Sequence, residues 1–356
     1  AYTETGSAPS SQLTVSMKWP PSPAKREPSV ALRIGFVGAG NYATSMLLPH
    51  LAERPDAELA RVVTTSALSA ANARRKFGFA ESSTDLGDVL DDPSIDAVFV
   101  VTRHSSHAAL TRRALLAGKA VFVEKPLALD EAGLRSVLDA VAESGNDRLQ
   151  VGFNRRFAPL LVESSRRLGR RVGPATVRYL VNAGRLDAQS WYLRSATEGS
   201  RFAGEGGHFI DTVSWLLGAD PVSVYAAAAP GQEDLHAVLT YPDGSTAVIT
   251  YATSGAARFP KETIEVLADG SVLRFDDFAR AGVHGPRRWT SSRIPHGRDK
   301  GQAAQVAAFV AAARTGGPFP TSVASLAATT RATLAVDASL ASGATVRLDA
   351  AVGAPS

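Results

Sequence analysis

The chain has 356 residues, 45% of them hydrophobic, which is enough to bury a substantial core and reads as two domains rather than one. Lys and Arg number 38 against 34 Asp and Glu; the resulting net charge of +4 does not by itself point to nucleic acid. No apolar run approaches the roughly 20 residues a membrane-spanning helix needs, and the start lacks a signal-peptide pattern. The absence of cysteine excludes disulfides, thiolate metal sites and thiol nucleophiles. The default reading is a cytoplasmic enzyme with neither membrane nor nucleic-acid partner.

Residues 1–30 are rich in Ser and Pro, including Pro20-Pro21-Ser22-Pro23, and read as a tether. From Ala31 to Phe153 the chain alternates between apolar runs at 31–37, 58–64, 96–102, 120–124 and 148–153 and helical patterns at 41–53, 68–77, 104–117 and 130–144. That alternation predicts an α/β domain built on a Rossmann-type doubly wound parallel sheet over residues 31–153.

The first predicted strand, Leu32-Arg33-Ile34-Gly35-Phe36-Val37, breaks into Gly38-Ala39-Gly40-Asn41-Tyr42-Ala43. A glycine turn between strand and helix suits a dinucleotide pyrophosphate: Gly38 allows the tight turn, Gly40 removes a Cβ from the path of the phosphates, and Ala43 lets the helix pack on the strand. The N–H groups around Asn41 and Tyr42 then face the anion at a helix N-terminus. At the end of the second strand, Thr64-Thr65-Ser66 replaces the acid that usually accepts hydrogen bonds from the ribose 2′-OH of NAD. Thr65 and Ser66 can meet a 2′-phosphate instead, with Arg74 or Arg75 as further candidates although Arg74-Arg75-Lys76 reads first as the solvated end of a helix, so the reading leans to NADP over NAD. Two further strands end in chemistry-bearing residues, Thr102-Arg103-His104 with His107 a turn later, and Glu124-Lys125-Pro126, both at the edge where doubly wound sheets bind ligands. His-x-x-His without carboxylates or cysteines at ligand spacing does not read as a metal site.

After Asn154 come a helix near 157–169 and alternating runs at Thr176–Val181, Val222–Ala227, Ala247–Thr253 and Thr263–Leu267. Helical patterns near 302–315 and 321–341 close the chain. The expectation for 154–356 is an α+β domain with a mostly antiparallel, open-faced sheet that binds substrate and supports oligomerisation.

The Gly38-Ala39-Gly40-Asn41 turn, Glu124-Lys125-Pro126, Asn154-Arg155-Arg156-Phe157 and Gly206-Gly207-His208-Phe209-Ile210-Asp211 together resemble the glucose-fructose oxidoreductase and inositol dehydrogenase family (Gfo/Idh/MocA). Asn182-Ala183-Gly184, Trp191 and Gly204-Glu205-Gly206-Gly207-His208 look like the branch in which this module follows an alcohol-dehydrogenase-like domain, which implies such a domain before residue 1. The resemblance implies NAD(P)-dependent oxidation or reduction of a secondary alcohol on a sugar, cyclitol or derivative. His208, placed at a helix start, would be the general base, and Lys125 would hold the same oxygen and stabilise its charge. Asp211, three residues on, would face the same side of the helix. The family often has an Asp four residues before this histidine; here that position is Gly204, and Glu205 is the candidate to supply the carboxylate.

Arg156, Trp191 and Arg201 are the substrate-binding candidates. With Arg155, Arg185 and Arg194 nearby in sequence, a uronate or phosphate on the substrate is a hypothesis. The resemblance also implies a homo-oligomer. Two other functions fit the same residues: a glycosidase-type lyase that oxidises its sugar transiently with retained NAD, and a non-catalytic nucleotide-binding module.

Overall fold

The computed structural model describes residues 31–187, 189–190, 195–229, 233–286, 289–294 and 297–348. The tether read over 1–30, together with Trp191 and Arg194, lies outside them.

Strands β1 (Leu32–Val37), β2 (Ala57–Val63), β3 (Glu81–Ser83), β4 (Ala97–Val100), β5 (Ala120–Val123) and β6 (Leu149–Val151) form a six-stranded sheet in the order β3-β2-β1-β4-β5-β6, and every neighbouring pair is parallel. The central strands β4 and β5 are apolar and buried along their whole length because helices cover both faces. Its helices are α1 (Leu48–Ala52), entered through a π-helical turn at Ala43–Leu47, α2 (Ala67–Phe77), α3 (Gly87–Leu90), α4 (His104–Leu116) and α5 (Glu131–Ser144). The periodicity missed β3 because its sequence, Glu-Ser-Ser, carries no apolar signal.

The strand order reverses at β1, so the turn after β1 and the end of β4 flank the crevice where doubly wound folds bind ligands. Phe36, Phe99 and Phe122 stack across β1, β4 and β5 with ring centroids 5.4 and 4.7 Å apart. Phe309 meets both Phe99 and Phe122 edge-on, so a helix from the far end of the chain completes this layer of the core.

After a 3₁₀ turn at Arg155–Phe157 come α6 (Pro159–Leu168), β7 (Thr176–Asn182), α7 (Ser195–Glu198), α8 (Arg201–Leu217), β8 (Ser223–Ala228), β9 (Leu235–Thr240), β10 (Thr246–Ala252), β11 (Glu262–Ala268), β12 (Ser271–Asp276), β13 (Arg280–His284), β14 (Trp289–Arg293), α9 (Gln302–Thr315), α10 (Val323–Ser342) and β15 (Val346–Arg347). The strands make a nine-stranded sheet, β14-β13-β12-β11-β7-β10-β9-β8-β15. It is antiparallel apart from the β7–β10 pair, which is parallel. One face packs against α6, α8 and α10; the other leaves Tyr225, Leu267 and Trp289 exposed. Helix α9 supplies Val306, Phe309 and Val310 to the core of the parallel sheet, although its sequence position falls in the second half.

Helix α8 carries His208 in its middle, not at a helix start as the sequence reading had it. Ser200 caps it, accepting the Ala203 N–H at 2.9 Å, so the helix begins two turns earlier. Its glycines allow close approach instead of breaking the helix. A Cβ at Gly206 would sit 2.3 Å from the Phe202 ring, and one at Gly207 would sit 2.9 Å from Phe153.

Candidate active site

The turn after β1 is built for a ligand. Gly38 has φ +92°, and a Cβ there would lie 2.2 Å from the Val101 carbonyl oxygen, so no other residue fits. A Cβ at Gly40 would meet no atom within 4 Å, so the space above the Gly40, Asn41 and Tyr42 N–H groups is open. The residues present therefore fit a dinucleotide pyrophosphate. Replacing Gly40 with Val should abolish NADH binding while leaving the melting temperature near the native value, because the new side chain fills ligand space without striking the protein. A fluorescence titration with unchanged affinity would remove the cofactor from this turn.

At the end of β2, Thr65 and Ser66 are exposed; Ser66 starts α2 with no side-chain cap bond, so its hydroxyl and the first N–H groups of α2 stand open. Arg74 and Arg75 lie in the last turn of α2, at the opposite end from this opening, and so do not face the ribose position. Thr102 hydrogen-bonds Ser106 at 2.7 Å, and Arg103 is the exposed residue that precedes α4.

His104 and His107, expected above among the cofactor contacts, are held by carbonyls of the protein itself. Both are buried: His104 Nδ1 lies 3.1 Å from the Glu198 carbonyl, and His107 Nδ1 lies 2.8 Å from the Pro126 carbonyl. Burial pushes their pKa values down, to about 3 and about 4. They are neutral rings that tie the end of β4 to α7 and to the Lys125-Pro126 segment. The reason is positional, since both face inward on the first turns of α4.

Lys125 follows β5 through a cis peptide to Pro126, and its Nζ donates to the Gly204 carbonyl of α8 at 2.8 Å. Glu124 lies buried beside it, with Oε1 unpartnered and its pKa pushed up to about 7 by burial, against the pull of Lys125. His208 stands four residues after Gly204 on the same helix. Its Nδ1 is sealed and has no hydrogen-bond partner, so the nitrogen able to reach a ligand is Nε2. Burial, then the charges of Arg155, Lys125, Lys300 and Lys261, hold this imidazole well below its ordinary pKa. The ring is therefore uncharged at neutral pH.

Asp211 does not support His208. It is fully buried and takes a two-point pair from Arg156, with Nε to Oδ2 at 2.9 Å and Nη2 to Oδ1 at 2.6 Å. Burial raises its pKa to about 6 despite that pair. The three-residue spacing does place the two side chains on neighbouring faces, but Arg156 claims the carboxylate. Arg156 is correspondingly not an open substrate fork. Glu205, three residues before the histidine, accepts from Tyr251 Oη at 3.1 Å and lies 3.7 Å from Arg201 Nε. Arg201 in turn donates to the Gly184 carbonyl at 2.9 Å and pairs with Glu233 at 3.3 Å, so it anchors the loop after β7 to α8. The side chain expected to supply the carboxylate missing at Gly204 is thus engaged by Tyr251 and Arg201.

The largest feature the sequence reading missed packs against α8, where the Arg155 guanidinium lies 5.4 Å from the Phe209 ring centroid. Glu262, fully buried on β11, accepts from Arg155 Nε at 2.8 Å and Nη2 at 2.9 Å, from Tyr179 Oη at 2.6 Å and from Lys300 Nζ at 2.7 Å. Asn154 ties in through Nδ2 to the Lys300 carbonyl at 2.7 Å. Burial alone would raise the pKa of Glu262, but Arg155 and Lys300 outweigh it and hold the carboxyl well below the usual range. The signal was present in the sequence: Glu262 occupies an inward position of a strand whose other inward residues are Ile264, Val266 and Ala268. A charge there demands partners.

The comparisons agree with this architecture. Residues 32–153 match a family model described as "Oxidoreductase family, NAD-binding Rossmann fold", and residues 166–273 match the "GFO/IDH/MocA C-terminal domain". The chain is 30% identical over 200 residues to inositol 2-dehydrogenase 2 of Saccharopolyspora erythraea, covering 55% of this chain and 57% of that protein. It is 32% identical over 204 residues to the scyllo-inositol 2-dehydrogenase (NAD(+)) of Bacillus subtilis, covering 54% and 53%. The chain thus spans a little over half the length of these curated relatives. Among solved structures, aldose-aldose oxidoreductase from Caulobacter crescentus complexed with glycerol superposes with a TM-score of 0.78 at 23% identity, covering 89% of this chain and 100% of that one. Levoglucosan dehydrogenase in complex with NADH and levoglucosan gives 0.77 at 20% identity, covering 90% and 100%. These two likenesses speak to the fold. With both domain models matched in order over well over half of its length, the chain belongs to the Gfo/Idh/MocA oxidoreductase family.

Proposed function

We propose that this protein transfers a hydride between a nicotinamide dinucleotide and a secondary alcohol or ketone of a sugar, cyclitol or sugar derivative. The observation that carries the reading is Lys125 Nζ bonded to α8 one turn before His208, at the carboxyl edge of the parallel sheet and beside the open glycine turn. Gly38, Gly40, Asn41 and Tyr42 would hold the pyrophosphate, Thr65 and Ser66 the ribose, and Thr102, Arg103 and Glu124 the path to the nicotinamide. The bound dinucleotide supplies the hydride acceptor. The chain's own groups manage the proton and the charge: His208 Nε2 takes the hydroxyl proton, and Lys125 holds the oxygen while negative charge develops on it. The names of the inositol dehydrogenase relatives support a polyol as substrate. Absorbance at 340 nm with a panel of inositols and aldoses tests the reading. Retained cofactor with no net change at 340 nm while substrate is consumed would favour the lyase instead.

For the cofactor, we propose NADP over NAD, because Val63-Thr64-Thr65-Ser66 carries no acid to repel a 2′-phosphate and Ser66 leaves the start of α2 open. NADPH should bind more tightly than NADH in a direct titration; a clear preference for NADH refutes it. We also read the open face of the nine-stranded sheet as the surface a second copy covers, since Tyr225, Leu267 and Trp289 are 42, 42 and 63% exposed on it.

A further inference from the structure

At one end of the nine-stranded sheet, β12, β13 and β14 pair in register, and every second side chain of each stands on the face that the helices leave open. Leu273, Phe275, Ala281 and Val283 point the other way, into the core. The open-face residues form three rows across the strands. The middle row is Arg274, Gly282 and Ser291; on one side of it stand Asp276, Arg280 and Arg293, and on the other Val272, His284 and Trp289. With a glycine at the centre of this grid, a hollow of about 390 Å³ is left, within the size range of small-molecule sites. Trp289 leans over the glycine: a Cβ on Gly282 would lie 3.1 Å from its Nε1, and its ring lies 5.6 Å from that of His284. Trp289 is nonetheless 63% exposed, so much of its ring is open to a ligand.

The charges in the hollow do not pair off. Arg280 and Arg293 lie directly opposite each other on β13 and β14, an arrangement of like charges that destabilises a sheet. Among the described residues, neither side chain has a hydrogen bond or an ion pair. The acids nearby are engaged: Asp276, the cross-strand neighbour of Arg280, lies 3.6 Å from Arg274; Glu265 on β11 accepts from Arg178 at 2.9 Å; and Asp277, in the turn before β13, lies 3.0 Å from Arg298. A second copy laid on this face would bring the same engaged acids and the same arginines. Charged side chains on an edge strand discourage pairing with other chains, but Arg274 and Arg280 stand on inner strands. Trp289 and Arg293 are four residues apart on β14, about 13 Å, a span that suits a phosphate joined to a ring through a sugar. We infer that the hollow binds a small organic phosphate of the nucleoside monophosphate kind, with its phosphate between the Arg280 and Arg293 guanidiniums and its ring against Trp289. The site lies on the face of the sheet opposite α8, apart from Lys125 and His208, and does not depend on the hydride-transfer reading.

Calorimetric titration of the full chain with AMP, adenosine and inorganic phosphate is the test. AMP can also enter the dinucleotide turn, so the site in question is the one that persists in Gly40→Val. There, one AMP per chain is expected to bind, with adenosine and inorganic phosphate each at least about tenfold weaker, the scale of one charge-assisted or stacking contact. Arg280→Gln and Arg293→Gln, both at exposed positions, should each weaken AMP binding about tenfold or more and leave the melting temperature near the native value. Trp289→Leu should weaken AMP and adenosine but not inorganic phosphate. If Gly40→Val does not fold, the native chain with its turn saturated by NADPH takes its place, and the same variants decide. No AMP bound, binding that neither arginine variant weakens, or inorganic phosphate bound as tightly as AMP overturns the inference. So does a change of oligomeric state in the arginine variants, by light scattering, without AMP binding by the native chain, since the arginines would then serve a second copy.

Discussion

Lys125→Ala is expected to lower kcat by about two orders of magnitude or more while the affinity for the dinucleotide stays within a few fold, and His208→Ala to do the same. Lys125 is held by the Gly204 carbonyl at 2.8 Å, which fixes its ammonium at the start of the turn that leads to His208. In the alanine variant, the developing alkoxide would lose the one donor that β5 delivers to it. In the proposed reaction His208 acts on the hydroxyl proton. With Nδ1 buried and unpartnered, no neighbouring carboxylate shares the incoming proton, so the imidazole works without the usual orienting acid. Its position is fixed by packing instead, against the Phe153 ring at a centroid distance of 6.2 Å and through the close seat that Gly207 allows. Single-turnover measurements with saturating dinucleotide would check both variants. Near-native kcat in either one would place the chemistry on other residues.

The parts of this site that could be read from the sequence are those whose chemistry is local. A glycine turn between a strand and a helix declares itself within about a dozen residues, because the backbone conformation at Gly38 and the space above Gly40 depend on near neighbours. Lys125 was legible for a similar reason, as the first charged side chains after an apolar strand must lie at the sheet edge. What failed was pairing. Asp211 was assigned to His208 by helical spacing, but a helix presents each carboxylate to whatever packs against it, and the 3₁₀ turn after β6 brings Arg156 there first. Glu205, three residues before His208, is also a helical neighbour, but Tyr251 and Arg201 engage its carboxylate. The Glu262 cluster was the hardest to foresee. Its members Arg155 and Glu262 are 107 residues apart, and only the docking of β11 and the segment before α9 onto the end of β6 brings them together.

That cluster makes the second large prediction. Glu262→Gln keeps the volume of the side chain but leaves Arg155 and Lys300 with no counter-charge in a buried setting, and removing one partner of such a pair costs about 3–5 kcal/mol of folding stability. Tyr179, which donates to Glu262 Oε2 at 2.6 Å, would also have to find its bond to an amide. The dependence on pH has a definite sign. An unfolded Glu titrates near 4.5, while in the folded protein Arg155 and Lys300 outweigh burial and hold Glu262 below that value. The carboxylate therefore contributes its full stabilisation above about pH 4.5 and loses it as the pH falls toward the folded value. Glu124 and Asp211 run the other way, since burial raises them to about 7 and about 6, but both are present in the native protein and the variant and cancel in the difference. Urea denaturation should then show a gap between native and Glu262→Gln that is widest near pH 7 and narrows toward pH 3. A gap under about 1 kcal/mol at pH 7, the scale of an exposed ion pair, or one that does not change with pH, would mean that Arg155 and Lys300 do not depend on this carboxylate.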